Sequence, residues 1–186
     1  MKLLLAATLI TLFNLCPAFA LPEGGVSQKD DTNKCDFPEE PPSATEITVK
    51  YPKFNIQIKM AENTNSMLLK NGDILIVDRG TYRYLQCYNK YKTGGRGIFG
   101  TLITRGATGY SYQASIPGKP NMFIVHNTDY LDGTNLSYTI ALRIVTSKGL
   151  TDVTLTGQLG PLIDKEEIAN EVKSLKAIAD AITIIR

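Results

Sequence analysis

The sequence predicts an all-β fold with one C-terminal helix: an antiparallel β-barrel, with a β-sandwich as the alternative. Three observations carry that prediction. Residues 54–60 alternate strictly, with Phe54, Ile56, Ile58 and Met60 on one face and Asn55, Gln57 and Lys59 on the other. That is the period of a half-buried strand. Short apolar runs then recur as far as residue 159, punctuated by Asn71-Gly72, Arg79-Gly80, Pro117-Gly118 and Lys148-Gly149, dipeptides that favour turns. A different period appears near 165–181, where Ile168, Val172, Leu175, Ala179 and Ile182 share one helical face.

The first twenty residues read as a signal peptide. Lys2 supplies a short positive region, 3–15 is apolar, and Ala18-Phe19-Ala20 has the small-x-small form of a cleavage site. The apolar run is short for a membrane anchor, so the expected product is secreted and extracellular. Residues 21–44, rich in Pro, Gly, Asp, Glu and Lys, have no apolar periodicity and read as an extended arm. Residues 45–186 then form one domain, long enough for a real core. With Lys2 removed, nineteen basic residues face eighteen acidic ones. That balance gives no support for nucleic-acid binding.

The removal of Cys16 leaves Cys35 and Cys87. In an oxidising compartment an even pair is most simply one disulfide, which would tie the arm to the domain. Two cysteines and the single His126 make a poor metal set, and no metal or cofactor is expected.

Strands are expected at 54–60, 73–78, 82–90, 98–104, 110–116, 123–127, 138–145 and 152–159. In 82–90, Tyr82, Tyr84, Gln86 and Tyr88 alternate with Arg83, Leu85 and Cys87. The loop at 129–137 is too long for a two-residue hairpin and carries the sequon Asn135-Leu136-Ser137, a glycosylation candidate. Asp164 with Glu167 has the form of a capping box for the helix. Its stripe is expected to lie on the outside of the β-structure, with Glu166, Glu171, Lys173 and Lys176 facing solvent. Residues 182–185, "ITII", favour a short closing strand through consecutive β-branching.

No set of residues supports catalysis, and the chain is not read as an enzyme. Gly95-x-Gly97-x-x-Gly100 matches a dinucleotide fingerprint as text, but β-branched residues follow where a helix is needed. His126 lacks a nucleophile motif to serve. The paired carboxylates, Glu39-Glu40 among them, fall in the arm or at the helix start. The basic residues Lys90, Lys92, Arg96 and Arg105 read as a solvated rim around a turn. The tyrosines carry more: an apolar ring with a hydrogen-bonding tip can line a ligand pocket, although aromatics also simply prefer strands. The candidate ligand-binding residues are Tyr84, Tyr112, Phe123 and Tyr138.

The last third of the chain resembles the end of a lipocalin of the arthropod or triabin-like branches. The resemblance rests on Thr128-Asp129-Tyr130 beside a turn, Tyr138 in the next strand, a further strand at 152–159, Pro161, an acidic-started helix at 164–181 and the last strand at 182–185. The front half departs from the pattern. A lipocalin's first strand normally carries Gly-x-Trp, and this chain has no tryptophan. Where an arginine normally closes over that ring, the sequence reads Gly-Gln-Leu-Gly-Pro at 157–161.

The resemblance implies a secreted, non-enzymatic protein carrying a small hydrophobic ligand in a β-barrel pocket, with no transmembrane anchor. The alternative is a secreted effector or immune-interaction protein that binds a protein partner through its surface. An apolar cavity favours the first; a solid core beside an exposed apolar patch favours the second.

Overall fold

The computed structural model describes residues 34–92, 95–110, 112–131, 135–156 and 164–185. The chain divides into two units at Asp31, and every described residue belongs to the second, Asp31–Arg186. The expected signal peptide at 1–20 and the arm as far as 33 lie outside the described residues.

Among the described residues the elements run β1 (Glu46–Tyr51), β2 (Ile56–Ala61), β3 (Thr64–Leu68), β4 (Ile74–Asp78), α1 (Arg79–Tyr91), β5 (Gly100–Arg105), β6 (Tyr112–Ile116), β7 (Lys119–Leu131), β8 (Asn135–Thr146), β9 (Gly149–Thr156), α2 (Lys165–Ala181) and β10 (Ile182–Ile184). The strands make two antiparallel sheets, in the orders β1-β2-β10 and β3-β4-β5-β9-β8-β7-β6. Among the described residues the sheets do not close into one barrel. The mostly antiparallel β-architecture agrees with the sequence, and the alternation of 54–60 holds: Phe54, Ile56 and Ile58 are buried, and Met60 packs against them.

Cross-strand register explains the main core. Ile74, Ile103, Val153, Leu142, Ile124 and Ala114 are successive partners from β4 to β6, so they form one row on one face of the large sheet. Against this face lie Ile56 and Ile58 of β2, Ile182 of β10, and Leu175 and Ala179 of α2. Asp164 caps α2 by accepting from the N–H groups of Glu166 and Glu167. A cap is worth about 1 kcal/mol, whereas full burial of Leu175 is worth about 1.5–3 kcal/mol. The apolar stripe therefore decides where α2 docks. Lys119 holds its far end, donating to the Ala179 carbonyl at 3.0 Å with Asp180 3.7 Å away.

The second helix corrects the sequence reading. Residues 82–90 lie in α1 rather than in a strand, so the described residues hold two helices instead of one. Thr81, Tyr84 and Leu85 are buried at helical spacing, and Asp78 caps the helix by accepting from the Thr81 N–H. A run of tyrosines fits either period on paper; the cap and the available partner surface decide. That surface is the opposite face of β4, where Leu75 and Val77 join Tyr84, Leu85 and Cys35 in a second core.

The arm is fastened along this second core. Cys35 and Cys87 form the expected disulfide, with Cα atoms 5.5 Å apart. The Glu40 N–H donates to Asp78 at 2.9 Å, and Asn63 bridges the Ser43 N–H and the Pro41 carbonyl at 2.8 Å each. Gly80 is required here, because a Cβ on it would fall 1.7 Å from the Pro38 carbonyl oxygen. Burial alone would raise the Asp78 pKa, but hydrogen bonds from Thr81, Glu40 and Gly80 outweigh it and hold the carboxyl below its ordinary value. The tie therefore weakens as pH falls through that lowered value.

Strands β7 and β8 also run further than the sequence reading, pairing out to Leu131 opposite Asn135. The loop expected at 129–137 is thus mostly strand. Asn135 opens β8, while its side chain lies outside the described ones, as do residues 132–134.

Candidate functional site

The space between the two sheets is filled: Ile56, Ile103, Leu142, Ile144 and Val153 are fully buried there. Cavities lie at the margins. One, of about 250 Å³, opens between α2 and strands β6, β7 and β8. Its position follows from register. Ile124, His126, Ile140 and Tyr138 project from the same face of β7 and β8, because His126 pairs with Ile140 and Thr128 with Tyr138. Ala114 and Ser115 line it from β6. Ile168, Val172 and Lys176 close it from α2, spaced one turn apart on one side of the helix.

The lining is mainly aliphatic with few polar groups, the composition of a small-molecule site. His126 and Tyr138 sit with ring centroids 5.7 Å apart. Burial pushes the His126 pKa below its ordinary value, so the imidazole is neutral at pH 7. Among the described residues its lining offers no nucleophile–base–acid set. A second cleft, of about 380 Å³, separates residues 118–122 from 182–184. It is lined by Gly118 and the strand residues that open β7 and form β10, and its lysine, Lys119, is already engaged by α2. The cleft under α2 is the better candidate on chemistry.

The four residues expected to bind ligand do not converge. Tyr138 lines the cleft. Tyr84 belongs to α1 and the second core, where its hydroxyl accepts from the Arg96 N–H at 3.2 Å and the Arg96 guanidinium stacks 4.6 Å from its ring. Phe123 pairs with Ser115 and Arg143, and alternation places it on the face opposite Ile124. Tyr112 opens β6 in register with His126, but its side chain lies outside the described ones. His126, Ile140 and Val172 went unassigned to a site by sequence reasoning. The signal was present as two periodicities, but only pairing between β7, β8 and α2 brings them together.

Glu171 corrects another expectation. It is buried rather than solvated, and its carboxylate accepts a hydrogen bond from the Leu155 N–H. Strand β8 accompanies β9 only as far as Leu142 opposite Val153, whereas β9 continues against β5 to Thr156. Glu171 sits past that fork and ties α2 to β9. Burial raises its pKa above the ordinary glutamate value, with the hydrogen bond opposing. A raised carboxyl pKa means that the folded state holds the proton more tightly, so this contribution to stability falls as pH rises through the window above 4.5. Glu171→Gln is expected to flatten that slope while keeping an acceptor for Leu155. Glu171→Ala should lose about 1–3 kcal/mol at neutral pH by removing the acceptor. Urea unfolding across pH checks both, and an unchanged slope in Glu171→Gln would refute the assignment.

The opposite face of the sheet is held by an ion pair. Arg143 and Asp152 are paired residues of β8 and β9, 8% and 2% exposed, and meet through two 2.9 Å hydrogen bonds. Asp152 also accepts from the Ala107 N–H at 2.9 Å, and Arg143 donates to the Ala107 carbonyl. The Tyr110 ring stacks 4.6 Å from the guanidinium. These groups satisfy one another and strap residues 107–110 across the sheet.

The glycine pattern is structural as well. Gly95 and Gly97 lie between α1 and β5 and Gly100 opens β5, the reverse of the strand-to-helix order that phosphate binding requires. Arg96 within it donates to the Phe37 carbonyl and to Thr81, fastening the arm. Among the described residues no three His, Cys, Asp or Glu groups could hold a metal, and no helix is long and apolar enough to cross a membrane. No protein-family model matches this chain, no curated protein matches it, and no solved structure matches its fold.

Proposed function

We propose that this chain is a secreted, non-enzymatic binding protein for a small hydrophobic molecule, held between α2 and strands β6, β7 and β8. One observation carries the reading: an aliphatic cleft of about 250 Å³ that also presents Tyr138 and His126. That volume is just below the usual range of about 300–1,000 Å³ for drug-sized ligands, so the occupant is small. The lipocalin-like scaffold is part of the proposal, supported by the succession of β9, Pro161, α2 and β10. Secretion is supported by the leader-like residues 1–20 and the Cys35–Cys87 disulfide.

Octanol and indole, both neutral, serve as probes. Titration is expected to shift the methyl resonances of Ile124, Ile140, Ile168 and Val172. Ala114→Phe should fill the cleft and abolish those shifts, with folding retained because a strand accepts an aromatic residue. Failure of both probes to bind the unmodified protein, or equal binding by Ala114→Phe, would sink the reading.

Recognition of a protein partner is the second reading, favoured by Leu68, Phe99 and Tyr91, which are 72%, 54% and 47% exposed. A partner footprint over these residues, seen by hydrogen exchange and insensitive to octanol, would support it instead.

A further inference from the structure

We infer that the occupant of the cleft under α2 is a short-chain amphipathic carboxylate, its tail against Ile124, Ile140, Ile168 and Val172 and its charged end directed to Lys176. This rests on the ligand-binding reading above and adds the chemical class. The cleft lining holds one lysine and no carboxylate. The two α2 acids nearest Lys176 in sequence have other partners: Asp180, one turn on, lies 3.7 Å from the Lys119 ammonium, and Glu171 is buried and accepts from the Leu155 N–H of β9. Lys176 follows Val172 by one turn on the same side of the helix, and its residue is exposed. Its stem can therefore extend the apolar wall while the ammonium stays in water at the opening.

The apolar lining is suited to the other half of such a molecule. Ile124 and Ile140 are buried, and burial favours the neutral form of the half-buried His126 beside them. Aliphatic walls on both sides then favour a saturated chain. A cationic amphiphile would meet Lys176 with like charge and no compensating acid on the lining.

The test compares octanoate, octanol and octylamine, which share a tail and differ in head, on the full mature chain at neutral pH and low ionic strength. Octanoate is expected to bind about fivefold tighter than octanol, the upper end for a solvent-exposed ion pair, and octylamine weakest. Molar salt should shrink the octanoate advantage by screening. Lys176→Gln should erase the preference, bringing octanoate affinity down to that of octanol measured on the same variant. Lys176→Glu should reverse the order in favour of octylamine. Octanol binding as tightly as octanoate, or a preference that survives Lys176→Gln, overturns the carboxylate assignment while the ligand-binding reading stands. Absence of binding by all three overturns both.

Discussion

Replacing Arg143 by methionine is expected to lower folding stability by about 3–5 kcal/mol, the usual effect of removing one partner from a buried ion pair. Asp152 is left 2% exposed with its charge and without its cation, retaining the Ala107 N–H as a donor. One amide does not replace the two hydrogen bonds that Arg143 provides. Asp152→Asn should be costly for the converse reason, since a guanidinium cannot neutralise itself by losing a proton. The double replacement Arg143→Met with Asp152→Leu should recover much of the loss, because desolvating two charges offsets most of their attraction. Urea unfolding of the three variants measures both losses and the recovery. Single variants within 1 kcal/mol of the parent would show that the pair is solvated and the strap dispensable. Amide exchange at Ala107 supplies a local readout: it should accelerate in both single variants, since both hydrogen bonds of that residue end on the pair.

Opening the Cys35–Cys87 disulfide comes next in size. The cysteines are 52 residues apart, and a loop of that length corresponds to about 4 kcal/mol of lost unfolded-chain entropy. For a domain of this size that is a fall in midpoint of roughly ten degrees. The change should be local before it is global. Without the bond the arm depends on Glu40 to Asp78, Asn63 to Ser43 and Pro41, and Arg96 to Phe37. Exchange at the Glu40 amide should therefore rise under reduction while the row from Ile74 to Ala114 stays protected. The double replacement of both cysteines by alanine should match the reduced protein. A midpoint unmoved by reduction would mean that the arm docks through those hydrogen bonds alone. The cleft under α2 lies against the other core, so octanol binding should survive in either form.

Much of the architecture was legible. The alternation at 54–60, the Asn71-Gly72 turn and the Asp164 cap are local signals whose physics needs no distant partner, and β2, β4 and α2 appear where those signals lie, whereas Arg79-Gly80 opens α1 instead of making a turn. The bias of "ITII" toward a strand is realised as β10, which pairs with β2. Segments whose signal is ambiguous were misread. Residues 82–90 contain apolar groups at both two- and four-residue spacing, and α1 forms because Asp78 caps it and Leu75 and Val77 offer a surface. β1 and β3 were missed because Glu46 to Tyr51 and Thr64 to Leu68 are short and partly polar, and pairing completes them.

The candidate site was less legible than the fold. Tyr138 was singled out by residue type, whereas Tyr84 and Phe123 share that aromatic character and end elsewhere, in the second core and on the opposite face. Side-chain type says what a residue can do; register decides which neighbours it does it with.

By itself, then, the sequence determined the β-rich class, the C-terminal helix with its cap and stripe, and the cysteine pair, because each is encoded within a few residues or by simple count. Tertiary structure alone decided that β8 pairs with β9 only from Leu142 onward, that Glu171 is buried past that fork, and that Val172 and Ile140 line one cleft. Those outcomes depend on which strands pair and in what register. A shift of one residue would turn every side chain of a strand to the other face, and no local pattern specifies it.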